Sequence, residues 1–266
     1  MDIPTKHQAS PIEKIRNLVE NSTDPLLDKS PVHENDIFEI LWMLVGSNVE
    51  KKLCADIPIW AIGSFTHLNF ANASTSWRNL LYPSLDGKKD GVTGAGWTNQ
   101  VFDYFSAPLE DNWFPAESST QELRLHAYGN FISVTNGVHR AVGAVNYLAA
   151  IQGSRTAVLQ KAMLTYQEID QELLTFLKSK SGTEIYFSWV EDRNRAAGIR
   201  IISATKFGAV IYYYKDRKIS TKQWIPLPNW ALPYLTKARL LNKWHNVKQE
   251  YLYILLQKKW LQDISV

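Results

Sequence analysis

The sequence predicts a mixed α/β fold, a small mixed sheet with flanking helices followed by an antiparallel β meander and long C-terminal helices, and three observations predict it. Residues 123–153, LRLHAYGNFISVTNGVHRAVGAVNYLAAIQG, read as two alternating strands joined by Gly129-Asn130, a Gly turn and a helix with one apolar face. Strand and helix alternate again through residue 178, which suits an α/β core. From residue 183 onward, β-rich runs separated by short polar or Gly-containing breaks predict a meander. With 266 residues, 45% of them hydrophobic, the chain can bury a sizeable core, in one large domain or in a domain with an appended module.

The first region, 1–82, is expected to be helical. Ser10-Pro11 is a helix-start signal, and Ile12, Ile15 and Val19 give a stripe through Glu20. A second helix starts near Asp36 and carries Ile37, Leu41, Leu44 and Val45; Trp42 and Met43 make it apolar nearly all round, as for a buried core helix. Residues 56–71 mix Pro, Gly and aromatics without a period, and His67 among them reads as structural; residues 74–81 read as a short helix.

The second region, 83–180, begins with a long loop at 83–97. Its GVTGAG lacks a following Gly-Lys-Ser/Thr and a preceding strand, so it reads as a mobile loop, with a lid over the site as one role open to it, rather than a phosphate loop. A helix at 99–105 follows, then the hairpin, a helix from Val138 ended by Gly153, a strand at 157–166 and a helix at 170–178.

In the third region, 181–266, the meander strands are expected at 184–190, 199–204, 209–214 and 219–224. Beyond a junction at 226–228, Leu240, Trp244, Val247, Tyr251, Ile254 and Leu261 recur at spacings of four and three, with Lys258 interrupting. That pattern predicts a long helix packed along another, in the same chain or in a second copy as a homodimer.

Composition narrows the setting. The single cysteine, Cys54, permits no internal disulfide and no cysteine metal cluster, which fits a reducing compartment. Residues 1–10 are polar with no apolar stretch behind them, and the best apolar run, 40–45, is far too short to span a bilayer, so a cytoplasmic protein with no membrane partner is expected. From residue 200 onward, 12 Lys and Arg face 3 Asp and Glu. This basic end serves either as a surface for nucleic acid or as a dock for the acidic remainder of the chain. Tyr212 and Tyr214, sharing one strand face, with Lys215, Arg217 and Lys218, are the candidate nucleic-acid contacts, and Tyr213 is expected in the core.

The chemistry concentrates at Asn136-Gly137-Val138-His139-Arg140. The first backbone N–H groups of a helix lack intrahelical partners and carry the positive end of its dipole, so an anion is stabilised there. His139 and Arg140 occupy that first turn, where positive charge is unfavourable on dipole grounds, and a negative ligand accounts for them. Arg140 can grip phosphate oxygens bidentately, His139 can donate a hydrogen bond or move a proton, and Gly137 admits close backbone approach. In an arbitrary Gly-x-His-Arg, the arginine more often pairs with a nearby carboxylate and the histidine lies on the surface.

This pentapeptide, preceded by a strand and followed by the small residues Gly143 and Ala144, resembles the signature of the ParB/sulfiredoxin superfamily. Partition proteins have Gly-x-Arg-Arg there, whereas sulfiredoxins and free-serine kinases of this fold have Gly-x-His-Arg, the form matched by Gly137, His139 and Arg140. The resemblance implies a nucleotide-binding enzyme acting on phosphoryl groups, with Asn136, Gly137, His139 and Arg140 around a nucleoside triphosphate (ATP or CTP) and Mg2+, and His139 as a catalytic group. Many relatives carry Asp where this chain has Asn136, and sulfiredoxins carry their reactive Cys where it has Val138, which excludes sulfinic-acid repair. The helix-turn-helix segments of the partition proteins are absent from the sequence after the motif. Among the acidic residues between the 99–105 helix and the hairpin (Glu110, Asp111, Glu117, Glu122), Glu122 is the candidate catalytic base or metal ligand. Two alternatives stand beside this one: a nucleic-acid-binding protein or nuclease using the basic end, and a non-catalytic interaction protein that keeps the fold.

Overall fold

Two five-stranded sheets organise the chain in the computed structural model, which describes residues 11–31, 36–65, 75–82, 123–192, 195–225, 231, 244–257 and 259–261. The first sheet takes β1 (Val45–Pro58), β2 (Ile62–Phe65), β3 (Arg124–Tyr128), β4 (Phe131–Asn136) and β5 (Val158–Ile169) in the order β1-β5-β3-β4-β2. It is mixed: β3 runs parallel to β5 and β2 parallel to β4, whereas β1–β5 and β3–β4 are antiparallel. The second sheet is the expected meander, β6 (Glu184–Asp192), β7 (Arg195–Thr205), β8 (Gly208–Lys215) and β9 (Lys218–Ile225), antiparallel throughout, with β10 (His245–Val247) added beside β6.

Helix α1 (Pro11–Glu20) packs on α3 (Val138–Gln152), and both cover one face of the first sheet. Ile15 and Val19 of α1 and Val142, Val145 and Leu148 of α3 meet Leu125, Ala127, Ile132, Val134 and Leu164 in one core. Each such side chain contributes about 1.5–3 kcal/mol on burial. Asn146, fully buried in α3, donates from Nδ2 to the carbonyl oxygens of Trp77 and Val142, both at 2.9 Å, and so fixes the turn before the short 3-10 segment Asn79–Leu81.

A second core gathers α2 (Asp36–Leu44), α4 (Gln171–Ser179) and α5 (Gln249–Leu255) over Ile185 and Phe187 of β6 and Ile199 and Ile201 of β7. Phe131, at the start of β4, belongs to this second core, while Ile132 and Val134 belong to the first. Strand β4 thus begins at one core and ends at the Asn136-Gly137 turn.

The structure corrects several expectations. The segment 1–82 is not only helical, since it supplies β1 and β2. In β1, Leu53, Ala55 and Ile57 alternate with Lys52, Cys54 and Asp56, a period of two that the flanking charges disguise. Trp42 is 59% exposed, whereas Ile37, Ile40, Leu41, Met43 and Leu44 of α2 are buried, so the helix is not apolar-buried all round. The helix expected at 74–81 is only the 3-10 turn at Asn79–Leu81. The long C-terminal helix does not form: its Trp244–Val247 portion enters β10 or flanks it, and α5 spans seven residues whose Tyr251, Leu252 and Leu255 are buried within this chain, not against a second copy. His67, the 83–97 loop, the 99–105 helix and Glu110, Asp111, Glu117 and Glu122 lie outside the described residues. Among the described residues, no helix is long and apolar enough to cross a membrane.

Candidate phosphate-binding site

The strand–turn–helix unit forms where the sequence places it. Gly137 is the N-cap of α3 with φ 76° and ψ 30°, the left-handed region that costs an L side chain free energy and glycine almost none. The chain leaves β4 and enters the helix within that single residue. The N–H groups of Arg140 and Ala141 already turn back to the Gly137 carbonyl, at 3.0 and 3.1 Å. Those of Val138 and His139 precede the first intrahelical bond and point out of the helix start. The first turn holds no acidic residue, so nothing on it neutralises the dipole.

His139 and Arg140 are half-buried on that turn and Asn136 is exposed at the end of β4. None of the three is without an interaction partner. Across the ladder, Asn136 pairs with Arg124, and the Thr135 hydroxyl donates to the Arg124 carbonyl at 3.1 Å, which ties the two strand ends together. Sequence inspection missed Arg124; its place opposite Asn136 follows from the tight hairpin. An imidazole and a guanidinium on the first turn of a helix, with an amide just before it, suit an anion. They do not suit a hard cation, and among the described residues no three His, Cys, Asp or Glu side chains converge on a metal site. The motif's own residues therefore do not fit Mg2+.

A polar row crosses the opposite face of the same sheet. The register aligns Lys52, Thr165, His126, Ser133 and Ser64 across five strands, between rows that face α3. The Ser64 and Ser133 hydroxyls are buried without a hydrogen-bond partner, which costs roughly 1–3 kcal/mol each. His126 shares a 3.0 Å hydrogen bond between Nε2 and Gln167 Oε1 and stacks on Tyr128 with ring centroids 4.3 Å apart. Burial pushes its pKa below the ordinary histidine value, and the Gln167 contact offsets part of that.

The proposed nucleic-acid contacts separate into two groups. Tyr214 is buried, and Tyr212 packs edge-on against Phe176 at 4.8 Å with Lys180 Nζ 4.9 Å over its ring, so the shared tyrosine face looks into the second core. This reverses the expected orientation, because β8 lays that face over α4; the half-buried Tyr213 is on the other side. Desolvation, and then the Asp170 carboxylate, push the Tyr214 phenol well above its usual range. Asp170 caps α4, accepting from the Glu172 and Leu173 N–H groups at 3.0 Å, and its other oxygen lies 3.8 Å from Arg217 Nε. Lys215 and Lys218 are exposed at the ends of the Asp216-Arg217 turn, both of whose residues have positive φ, as a tight hairpin turn requires.

Comparison with known protein families, with characterised proteins and with solved structures finds no match to this chain.

Proposed function

We propose that this chain binds the phosphates of a nucleotide, ATP or CTP, at the start of α3, as an enzyme of ParB/sulfiredoxin type acting on phosphoryl groups in the cytoplasm. The supporting observation is the left-handed Gly137 cap, which presents outward backbone N–H groups beside His139 and Arg140 on an acid-free helix start. In this reading the Val138 and His139 N–H groups hold one phosphate, Arg140 grips its oxygens, and His139 stabilises developing charge or carries a proton. A nucleotide would bring its own Mg2+ on its phosphate oxygens, since the motif offers no carboxylate.

The test is a thermal-shift series with ATP, CTP, ADP and GTP, with and without Mg2+. A nucleotide at a hundred times its Kd adds about 2.7 kcal/mol, which at this size raises the Tm by roughly 5–10 °C. The rise should vanish in Arg140→Ala. An Arg140→Ala protein that responds like the parent sinks the assignment.

Asn136 favours a second reading, a nucleotide-binding protein without turnover, because a carboxamide at the exposed end of β4 cannot serve as a base. Binding with no phosphate release would select it. The nucleic-acid reading keeps only Lys215, Arg217 and Lys218, and would appear as affinity falling steeply with added salt.

A further inference from the structure

At the end of α3 remote from Gly137, a cavity of about 1220 Å3 opens among residues 25–31, the start of β2, the turn at Ser154 and Arg155, and α5, with Trp77, Phe131 and Ser181 also on its lining. Fifteen residues of helix put this cavity about 22 Å from the Gly137 turn. Its frame is tied by specific hydrogen bonds. Asp24 accepts from the Leu26 N–H at 2.9 Å and, through its other oxygen, from the Ser154 N–H at 2.7 Å, so one carboxylate holds the 25–31 loop to the end of α3. On the far side, Asn130 Nδ2 donates to the Gln257 carbonyl at 2.6 Å and Trp260 Nε1 donates to the Asn130 carbonyl at 3.1 Å. Gly63 completes the wall, where a Cβ would fall 2.5 Å from the Phe131 ring and 2.8 Å from Ile254 Cδ1.

Aromatic residues surround it: the half-buried Trp60 and the exposed Tyr253 border the space, and the buried Trp77, Phe131 and Tyr251 back the wall behind them. Lys29, Arg155 and Lys248 also line it, and among the described lining residues the one carboxylate is that of Glu250. Lys29 Nζ lies 4.8 Å over the Tyr253 ring, so a cation and an aromatic face are held together, with Tyr253 57% exposed. An apolar ring-lined body with a cationic fringe, of the order of the 300–1,000 Å3 of ordinary ligand sites, selects a particular ligand chemistry.

We infer that this cavity is a second binding site, for a small amphipathic anion with a flat apolar body and a carboxylate, sulfonate or phosphate head. The body lies between Trp60 and Tyr253, where burial of apolar area drives binding, and the head meets Arg155 and Lys29 at the fringe. The site is independent of Gly137.

The probe is 8-anilinonaphthalene-1-sulfonate, titrated by fluorescence into the full chain beside its uncharged counterpart N-phenyl-1-naphthylamine. The anion should saturate one site and bind about tenfold tighter than the neutral compound. The double variant Lys29→Gln/Arg155→Gln should lose that tenfold for the anion and leave the neutral compound unchanged. Ser181→Trp, an exposed position at the mouth, should weaken both at least tenfold, whereas Arg140→Ala should weaken neither. Surface changes of this kind move the Tm by no more than about 2 °C, so a folded variant is recognised independently of binding. Equal affinity for the two compounds, unsaturable uptake, or indifference to both the charge and the mouth substitutions overturns the proposal.

Discussion

His126 shows how a single residue ties the sheet to the pH of its surroundings. Its folded-state pKa lies below the ordinary 6.5 because burial disfavours the imidazolium, so the unfolded chain binds a proton more readily than the folded one. Stability from this group is complete above about pH 6.5 and is lost as pH falls toward the lowered value. The unfolding midpoint in urea should therefore fall between pH 7.5 and pH 5, and more steeply in the parent than in His126→Phe, which keeps a ring on Tyr128 and removes the titration. Parallel slopes would assign the acid sensitivity elsewhere. His126 was legible as a polar position on an alternating strand. Its hydrogen-bond partner was not, because Gln167 comes from β5, whose register against β3 only the fold sets.

At the scale of elements, α1 depends on an arginine far away in the sequence. Arg78 donates from Nη1 to the Val19 carbonyl and from Nη2 to the Ser22 carbonyl at 3.0 Å, and its Nε is 3.1 Å from Asp28 Oδ1. These carbonyls sit at and just beyond the C-terminus of α1, at the negative end of the dipole, and the Val19 carbonyl also accepts from the Ser22 N–H at 3.2 Å. Arg78→Ala should cost about 2 kcal/mol in a urea denaturation, and Arg78→Lys should restore less than half, because a lysine cannot fork between two carbonyls. A loss under about 0.5 kcal/mol in Arg78→Ala would show the carbonyls to be satisfied by water. The elements most legible in the sequence were those with local signals: the 124–136 hairpin, α3 between Gly137 and Gly153, α4 behind Asp170, and the meander. The misread ones had competing patterns. Leu240 to Leu261 mimics a helical seam, yet His245–Val247 is better satisfied by backbone pairing with β6.

For the whole molecule, the question is how two cores behave as one. Tyr251 is fully buried in the second core and stacks edge-on with Phe131, the first residue of β4, at 6.0 Å between centroids. Neighbouring Ile132 faces the other core, so disturbance at Tyr251 reaches both. Tyr251→Ala should cost about 3–5 kcal/mol and leave a single, earlier melting transition. Two separated transitions in calorimetry would show the cores to unfold independently. The fold class was legible because hairpin, helix and meander are each written locally. The sheet order was not, because β1 and β2 join partners from much later in the chain. The motif at Gly137 was legible for the same local reason, whereas the cavity at the other end of α3 assembles from segments far apart in the chain and leaves no sequence pattern.

That sheet order also shapes the protein's birth on the ribosome. The meander strands β6 to β9 can pair as soon as each short turn emerges, but β1 must wait for β5, since Leu53 meets Leu164, and β2 must wait for β4. During that wait a fourteen-residue strand has bare backbone edges, the condition in which nascent chains adhere to one another. Glu50, Lys51, Lys52 and Asp56 remain exposed in the finished fold, and their first service is to keep β1 soluble until its partner is made.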